Sequence, residues 1–213
     1  MRFIGISGFA RSGKDASRDI IFEYLAMHKM KYVGLSFADP VKRIASQRYG
    51  HHCVDFYSKS DSDNAEYLKR RILQQIGSEE GRGFCEDIWI EFLKGAALDR
   101  AIEMGIKDIS NFNVVTADVR FPNEAHWVLS SKKNILFLID ADKRQNTQLS
   151  NGIYLHMSES YITSIREEHR DRHHNCIYVE NNGTLDDLRR SIFSKMDEVL
   201  IGLDPNQQKL INV

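Results

Sequence analysis

The sequence predicts an α/β protein: a five-stranded parallel sheet with helices on both faces, three layers in all. Three observations predict it. Short apolar runs recur at Arg2–Ser7, Tyr32–Phe37, Phe112–Ala117, Ile135–Asp140 and Cys176–Glu180. They are continuous rather than alternating, as strands covered on both faces require. Stretches of helical periodicity separate them, and strands alternating with helices build a doubly wound sheet. Finally, the first run leads directly into Gly8-Phe9-Ala10-Arg11-Ser12-Gly13-Lys14-Asp15, the spacing G-x-x-x-x-G-K between a strand and a helix.

That spacing builds a phosphate-binding loop, or P-loop. Its glycines allow turns that a Cβ would block, so backbone N–H groups face inward at a helix N-terminus and cradle phosphate oxygens. Lys14 is placed to reach the β- and γ-phosphates of a nucleoside triphosphate. Most such loops follow the lysine with a hydroxyl residue that holds magnesium. Here Asp15 stands there, a carboxylate able to hold magnesium directly or through water.

The remaining elements follow in order. Ile20, Ile21, Tyr24, Leu25 and His28 share one face of the helix after the loop. Two further stripes, Leu68/Ile72/Leu73/Ile76 and Ile88/Phe92/Leu93/Ala96, fall between the second and third strands. The stretch from about 40 to 110 exceeds what a crossover needs and reads as an inserted helical subdomain. Residues from about 141 to 172 are polar and charged and read as a mobile lid rather than core. Thr184 and Asp187 form a cap pair before the last helix, whose stripe is Leu185, Leu188, Ile192, Met196 and Val199. The tail after Leu203 reads as loose. Residues 1–213 thus read as one domain carrying an insertion and a lid.

Composition narrows the partners. A net charge of -1 gives no electrostatic case for nucleic-acid or membrane binding. Three cysteines, Cys53, Cys85 and Cys176, are too few and too scattered for a disulfide framework. No long apolar span or signal-peptide pattern is evident, so a soluble, cytoplasmic protein is expected. His51-His52-Cys53 and His173-His174-Asn175-Cys176 do not have the spacings of a zinc finger or ribbon.

A second constellation closes the third strand: Thr116-Ala117-Asp118-Val119-Arg120-Phe121-Pro122-Asn123-Glu124. Ligands of open parallel sheets bind at the carboxyl ends of strands, so Asp118 is expected near the phosphates. There it would orient magnesium water or accept a proton, while Arg120 clamps a phosphate with its planar fork. The alternative is a structural Asp118–Arg120 ion pair. Arginines and lysines of the lid, Lys143, Arg144, Arg166, Arg170 and Arg172, are candidates to close over a transferring group, Arg144 first.

Taken in order, the motifs resemble the bacteriophage deoxynucleoside monophosphate kinase family, whose P-loop fold is that of nucleoside monophosphate kinases. The shared blocks are the loop ending Lys14-Asp15, Phe37-Ala38-Asp39-Pro40-Val41-Lys42, Leu73 to Arg82 with Asp87 and Trp89, Asp118 to Glu124, His156-Met157-Ser158-Glu159, and Asn182 to Leu185. The resemblance implies transfer of the γ-phosphoryl of ATP, with magnesium, to a deoxynucleoside monophosphate. It implies Arg11, Gly13, Lys14, Asp15 and Ala16 on the ATP phosphates, with Arg144 beside them. It implies Val41, Lys42, Arg70, Arg82, Trp89, Arg120, His156 and Glu159 on the acceptor side, and Asp15 and Asp118 on magnesium. It further implies small-molecule nucleotides as partners, a host-cytoplasmic setting and a homodimer as an option. Ala16 departs from relatives that place a hydroxyl there, and Arg70 has a solvated helix face as its alternative. Other P-loop small-molecule kinases, of the dephospho-CoA or phosphomevalonate type, and a non-catalytic nucleotide-binding module are the competing classes.

Overall fold

A computed structural model describes residues 1–50, 55–58, 62–141, 157–170 and 173–203. The strands are β1 (Arg2–Ser7), β2 (Lys31–Gly34), β3 (Phe112–Thr116), β4 (Ile135–Asp140) and β5 (Cys176–Glu180). The α-helices among the described residues are α1 (Lys14–Met27), α2 (Ala38–Tyr49), α3 (Asp63–Gln74), α4 (Ile88–Glu103), α5 (Pro122–Leu129), α6 (Met157–His169) and α7 (Leu185–Leu203). A π-helix, Gln75–Arg82, continues α3.

All strand pairs are parallel, in the order β2-β3-β1-β4-β5. The chain leaves β1 toward one edge for β2 and β3, then crosses to the other for β4 and β5. The loop after β1 therefore sits where the winding reverses, the point at which open α/β sheets bind ligands. The two-residue side-chain period of β1 splits the core. Phe3 packs on one face with α2, α4 and α5, while Ile4 and Ile6 pack on the other with α1 and α7. Fully buried strand residues such as Ile4, Phe137 and Ile139 account for the continuous apolar runs.

Four expectations are corrected. The second strand ends at Gly34 rather than Phe37, although Leu35 N–H still donates to Val115 O at 3.0 Å. Residues 36–38 turn out of the sheet because a carboxylate from β3's end captures their polar groups. The stripe assigned to α3 does not face the core at Leu68, which is exposed, and the helix buries Lys69 instead. Lys69 reaches the Ser58 carbonyl and lies 3.7 Å from Glu66, so its charge is paired where its stem is covered. On α4 the core face is Trp89, Ile90, Leu93, Ala97 and Ala101. The predicted residues Ile88, Phe92 and Ala96 lie on its flank and line a cleft. Within the presumed lid, residues 157–169 form a packed helix with Ile162 and Ile165 buried. The rest of that segment up to His156 lies outside the described residues, as do His51, His52, Cys53 and Arg172.

The cap of α7 matches its sequence signature. Thr184 N–H donates to Asp187 Oδ2 at 2.9 Å, and Asp187 N–H donates to Thr184 Oγ1 at 3.2 Å. Thr184→Ala removes one arm of this reciprocal cap. Urea unfolding should show a loss of about 1 kcal/mol with an unchanged denaturant slope.

Candidate phosphate-binding site

The loop after β1 is held from below by β5. Asn181 donates its side-chain amide to Ser12 O at 2.8 Å and its backbone N–H to Asp140 O at 2.5 Å. Gly13, the residue before α1, has φ 98°, and a Cβ there would collide with the Asn181 amide. Arg11 also adopts a left-handed conformation, φ 61°, which is costly for a residue with a Cβ and persists where surroundings impose it. Lys14 Nζ donates to Gly8 O at 2.8 Å and Phe9 O at 2.6 Å, so its ammonium spans the loop. Ser7 and Ser12 place buried hydroxyls at the loop's base with no hydrogen-bond partner among the described residues.

Asp15 sits in the first turn of α1 with its carboxylate 86% exposed, 3.5 Å from Arg18. Ala16 is half-buried. The hydroxyl that follows it, Ser17, is buried and donates to Gly13 O at 3.0 Å. Asp15 is thus the exposed carboxylate at the end of the loop. An exposed carboxylate beside a phosphate cradle suits magnesium, which keeps several waters and takes one or two carboxylates.

Asp118, at the end of β3, is engaged in four hydrogen bonds. Its Oδ1 accepts from Phe37 N–H at 3.1 Å and Thr116 Oγ1 at 2.5 Å; its Oδ2 accepts from Ser36 Oγ at 2.5 Å and Ala38 N–H at 3.0 Å. A carboxylate has about four acceptor directions, and all are used. Asp118 therefore anchors the N-terminus of α2, where negative charge also meets the helix dipole. A metal ion or a proton would have to displace one of these bonds. Asp39, in the first turn of α2, has its carboxyl pushed up by burial and then by the neighbouring Asp118 charge.

Arg120 and Arg82 divide the work of the third-strand motif. Arg120 does not pair with Asp118; its side chain is exposed and makes no ion pair among the described residues. Its backbone N–H and that of Phe121 donate to Glu124 Oε2 at 2.8 and 3.1 Å, capping α5. Glu124 is 1% exposed and pairs through Oε1 with Arg82, whose guanidinium stacks on the Phe121 ring at 3.6 Å. Arg82 also donates to Gly77 O at 3.1 Å, and Trp89 Nε1 donates to the same carbonyl at 2.7 Å. Gly81 lies so close to the Trp89 ring that any Cβ would overlap it. Trp89 is therefore core, and Arg82 a buried strut. Val41 likewise packs in the core. Arg70 is exposed and 3.6 Å from Glu66, one turn away, a solvated helix pair. Lys42 lies half-buried over the Tyr57 ring at 5.7 Å.

A cleft of about 560 Å³ opens between α2 and α4, lined by Ser36, Asp39 and Arg43 on one side and Ile88, Phe92 and Asp99 on the other. Sequence reasoning did not single out Ser36, Arg43 or Asp99. The available signal was the four-residue repeat Ile88/Phe92/Ala96, read as core. On the far side of the loop, Arg166 of α6 pairs with Asp140 and lies 5.3 Å from the Phe9 ring centroid. Arg170 covers the Tyr178 ring at 4.0 Å. Tyr178 donates to Asp140, and burial with this bond pushes its phenol up to about 12. Arg144 and His156 fall outside the described residues, and Glu159 is described only as part of α6's backbone.

Parallel sheet, reversal point, glycine loop and lysine together define a P-loop α/β fold. Among solved structures, the chain is similar to a gluconokinase from Sinorhizobium meliloti 1021, with 11% identity, 95% of each chain covered and a TM-score of 0.46. It is similar also to dephospho-CoA kinase from Campylobacter jejuni, with 14% identity, 96% of this chain and 100% of that one covered, and a TM-score of 0.47. No family model matches the chain, and no curated protein does. No helix among the described residues is long and apolar enough to cross a membrane.

Burial raises the Glu124 carboxyl from its ordinary 4.5 to about 7, opposed by Arg82 and the two N–H donors. The same burial pulls Arg82 down, though a guanidinium stays charged. A raised carboxyl favours the folded state fully below its unfolded value, and that stability is lost as pH rises through about 7. Urea unfolding should therefore show wild type losing stability relative to Glu124→Gln between about pH 5 and pH 7.5. Glu124→Ala, which strands Arg82, should cost about 3 kcal/mol or more.

Proposed function

We propose that this protein is a kinase that transfers the γ-phosphoryl group of ATP to a deoxynucleoside 5′-monophosphate, releasing ADP and the diphosphate. Two features support the reading: the P-loop follows the carboxyl end of β1, and the segment after the carboxyl end of β2, a parallel strand of the same sheet, contributes Ser36 to a cleft of ligand size. Ser36 lines the cleft and donates to Asp118 at the end of β3, the strand beside β1. A P-loop alone fits any triphosphate user; a second site of ligand size beside it implies an acceptor. The cleft's volume lies within the roughly 300–1,000 Å³ of small-ligand pockets. Phe92, Ile88 and Tyr57 supply a flat apolar wall for a base, and Asp39, Arg43 and Asp99 supply polar edges. The ordered motifs that resemble phage deoxynucleoside monophosphate kinases support the same acceptor, and with it a role in deoxynucleotide supply for phage DNA replication.

In this reading an acceptor phosphate oxygen attacks the γ-phosphorus as the bond to the β–γ bridging oxygen breaks. The protein's work is positioning and charge balance. Lys14 leaves its loop carbonyls for the β- and γ-phosphates, and the Ser7 and Ser12 hydroxyls, without a partner among the described residues, gain partners as the loop adjusts. Arg11 and Arg120, both exposed, clamp phosphate oxygens, and Lys42 adds charge on the acceptor side. Asp15 would hold magnesium, which would supply charge neutralisation for the phosphates. Asp118 positions the α2 N-terminus and the cleft wall through its four bonds. Arg166 and α6 shield the loop from water. Arg144, His156 and Glu159 enter this scheme by resemblance alone.

A coupled ADP-release assay with dGMP, dTMP, dCMP, dAMP and hydroxymethylated dCMP tests the reading. Turnover with at least one monophosphate is expected. ATP binding without turnover on any of them overturns it, and turnover on dephospho-CoA or phosphomevalonate instead reassigns the acceptor. Arg120→Ala should lower kcat/KM for the acceptor about 100-fold while ATP affinity, by equilibrium titration, changes little.

A further inference from the structure

A second group of chemistry-bearing side chains lies between α5, α6 and the turn before β5. His126 on α5 places its Nε2 2.8 Å from Glu168 Oε1 on α6. The other Glu168 oxygen is 3.9 Å from His169 Nε2. One donor atom from each of the three residues lies within 4.8 Å of the other two. The His126 and His169 rings meet edge to face, centroids 4.8 Å apart, and the His173 ring extends the group at 5.4 Å from His169. His169 is 1% exposed, whereas His126 and Glu168 reach solvent, so the cluster has a buried floor and an open mouth.

We propose that His126, Glu168 and His169 form a binding site for a divalent transition-metal ion, zinc foremost, with water completing the coordination. Imidazole and carboxylate bind zinc at about 2.0–2.2 Å, which sets donors about 3.3 Å apart around a tetrahedral ion. The donor atoms, one from each residue, lie within 4.8 Å of one another, so side-chain rotations that draw them inward complete the set. Calcium and magnesium favour all-oxygen ligands, which two imidazoles do not offer. The histidine pairs of the sequence do not reveal the site, because its ligands come from positions 42 residues apart.

An ion there would tie the C-terminal end of α6 to α5. α6 carries Arg166, which pairs with Asp140 and covers Phe9 of the P-loop. The site is thus a clamp on the helix that borders the phosphate cradle, and it takes no part in the proposed transfer.

The test uses untagged protein with Cys53→Ser and Cys85→Ser to remove competing thiols, stripped by chelator and saturated with magnesium. Zinc is titrated against a chromophoric chelator, and cobalt(II) serves as an absorbing substitute. One zinc per chain is expected, with visible absorption typical of four-coordinate cobalt and a zinc-dependent rise in Tm. His126→Gln and Glu168→Gln each should weaken zinc binding about tenfold or more, while the metal-free Tm stays near that of the parent. The His126 and Glu168 side chains are 53% and 40% exposed and their replacements are isosteric or nearly so, so folding is retained. Failure to take up stoichiometric zinc overturns the proposal, as does unchanged zinc affinity in both variants.

Discussion

The four hydrogen bonds to Asp118 are the constraint on which the carboxyl edge of the sheet depends. They end β2 three residues early, turn the chain into α2, and set Ser36 and Asp39 as the cleft's near wall. They also fix the end of β3, from which Arg120 projects. A half-buried carboxylate with every acceptor direction filled is rigid, because losing any one donor leaves a charged group undersatisfied. Two strands, one helix and one arginine are therefore positioned by a single side chain.

The fold was legible in the sequence because the strands are buried on both faces. Ile4 and Ile6 face one core layer and Phe3 the other, so the run is apolar throughout and stands out. The P-loop was legible because its chemistry is local, glycines and a lysine within eight residues. The cap of α7 was legible for the same reason. The helical insertion was not, because its faces are shared between core and cleft. Ile88, Phe92 and Ala96 repeat at helical spacing, yet apolarity alone does not distinguish a core face from a ligand-facing one.

The cations show the same limit more sharply. Arg70 and Arg82 look alike as residues, but one is a solvated pair with Glu66 and the other a buried strut on Glu124 and Phe121. What separates them is the π-helix Gln75–Arg82, which frees the Gly77 carbonyl to accept from both Arg82 and Trp89. π-Helices arise from one extra residue in a helical run and often mark functional sites. No residue type announces them. Lys69, one position before Arg70, is buried for a reason equally invisible in sequence, a carbonyl at Ser58 brought over from the preceding loop.

Pairing, rather than residue type, also separates the cations at the edge. Arg82 is neutralised by Glu124 and Arg166 by Asp140. Arg11 and Arg120 are exposed and make no ion pair among the described residues. A cation held by a buried carboxylate has already spent its desolvation and offers little to a new anion. An unpaired cation at the edge of a sheet keeps its full field, strengthened when a ligand or a closing helix excludes water. The loop contributes Lys14 and the third strand contributes Arg120 from opposite sides of the β1–β3 junction. The Asp118 bonds hold the end of β3 and the start of α2 together beside that junction.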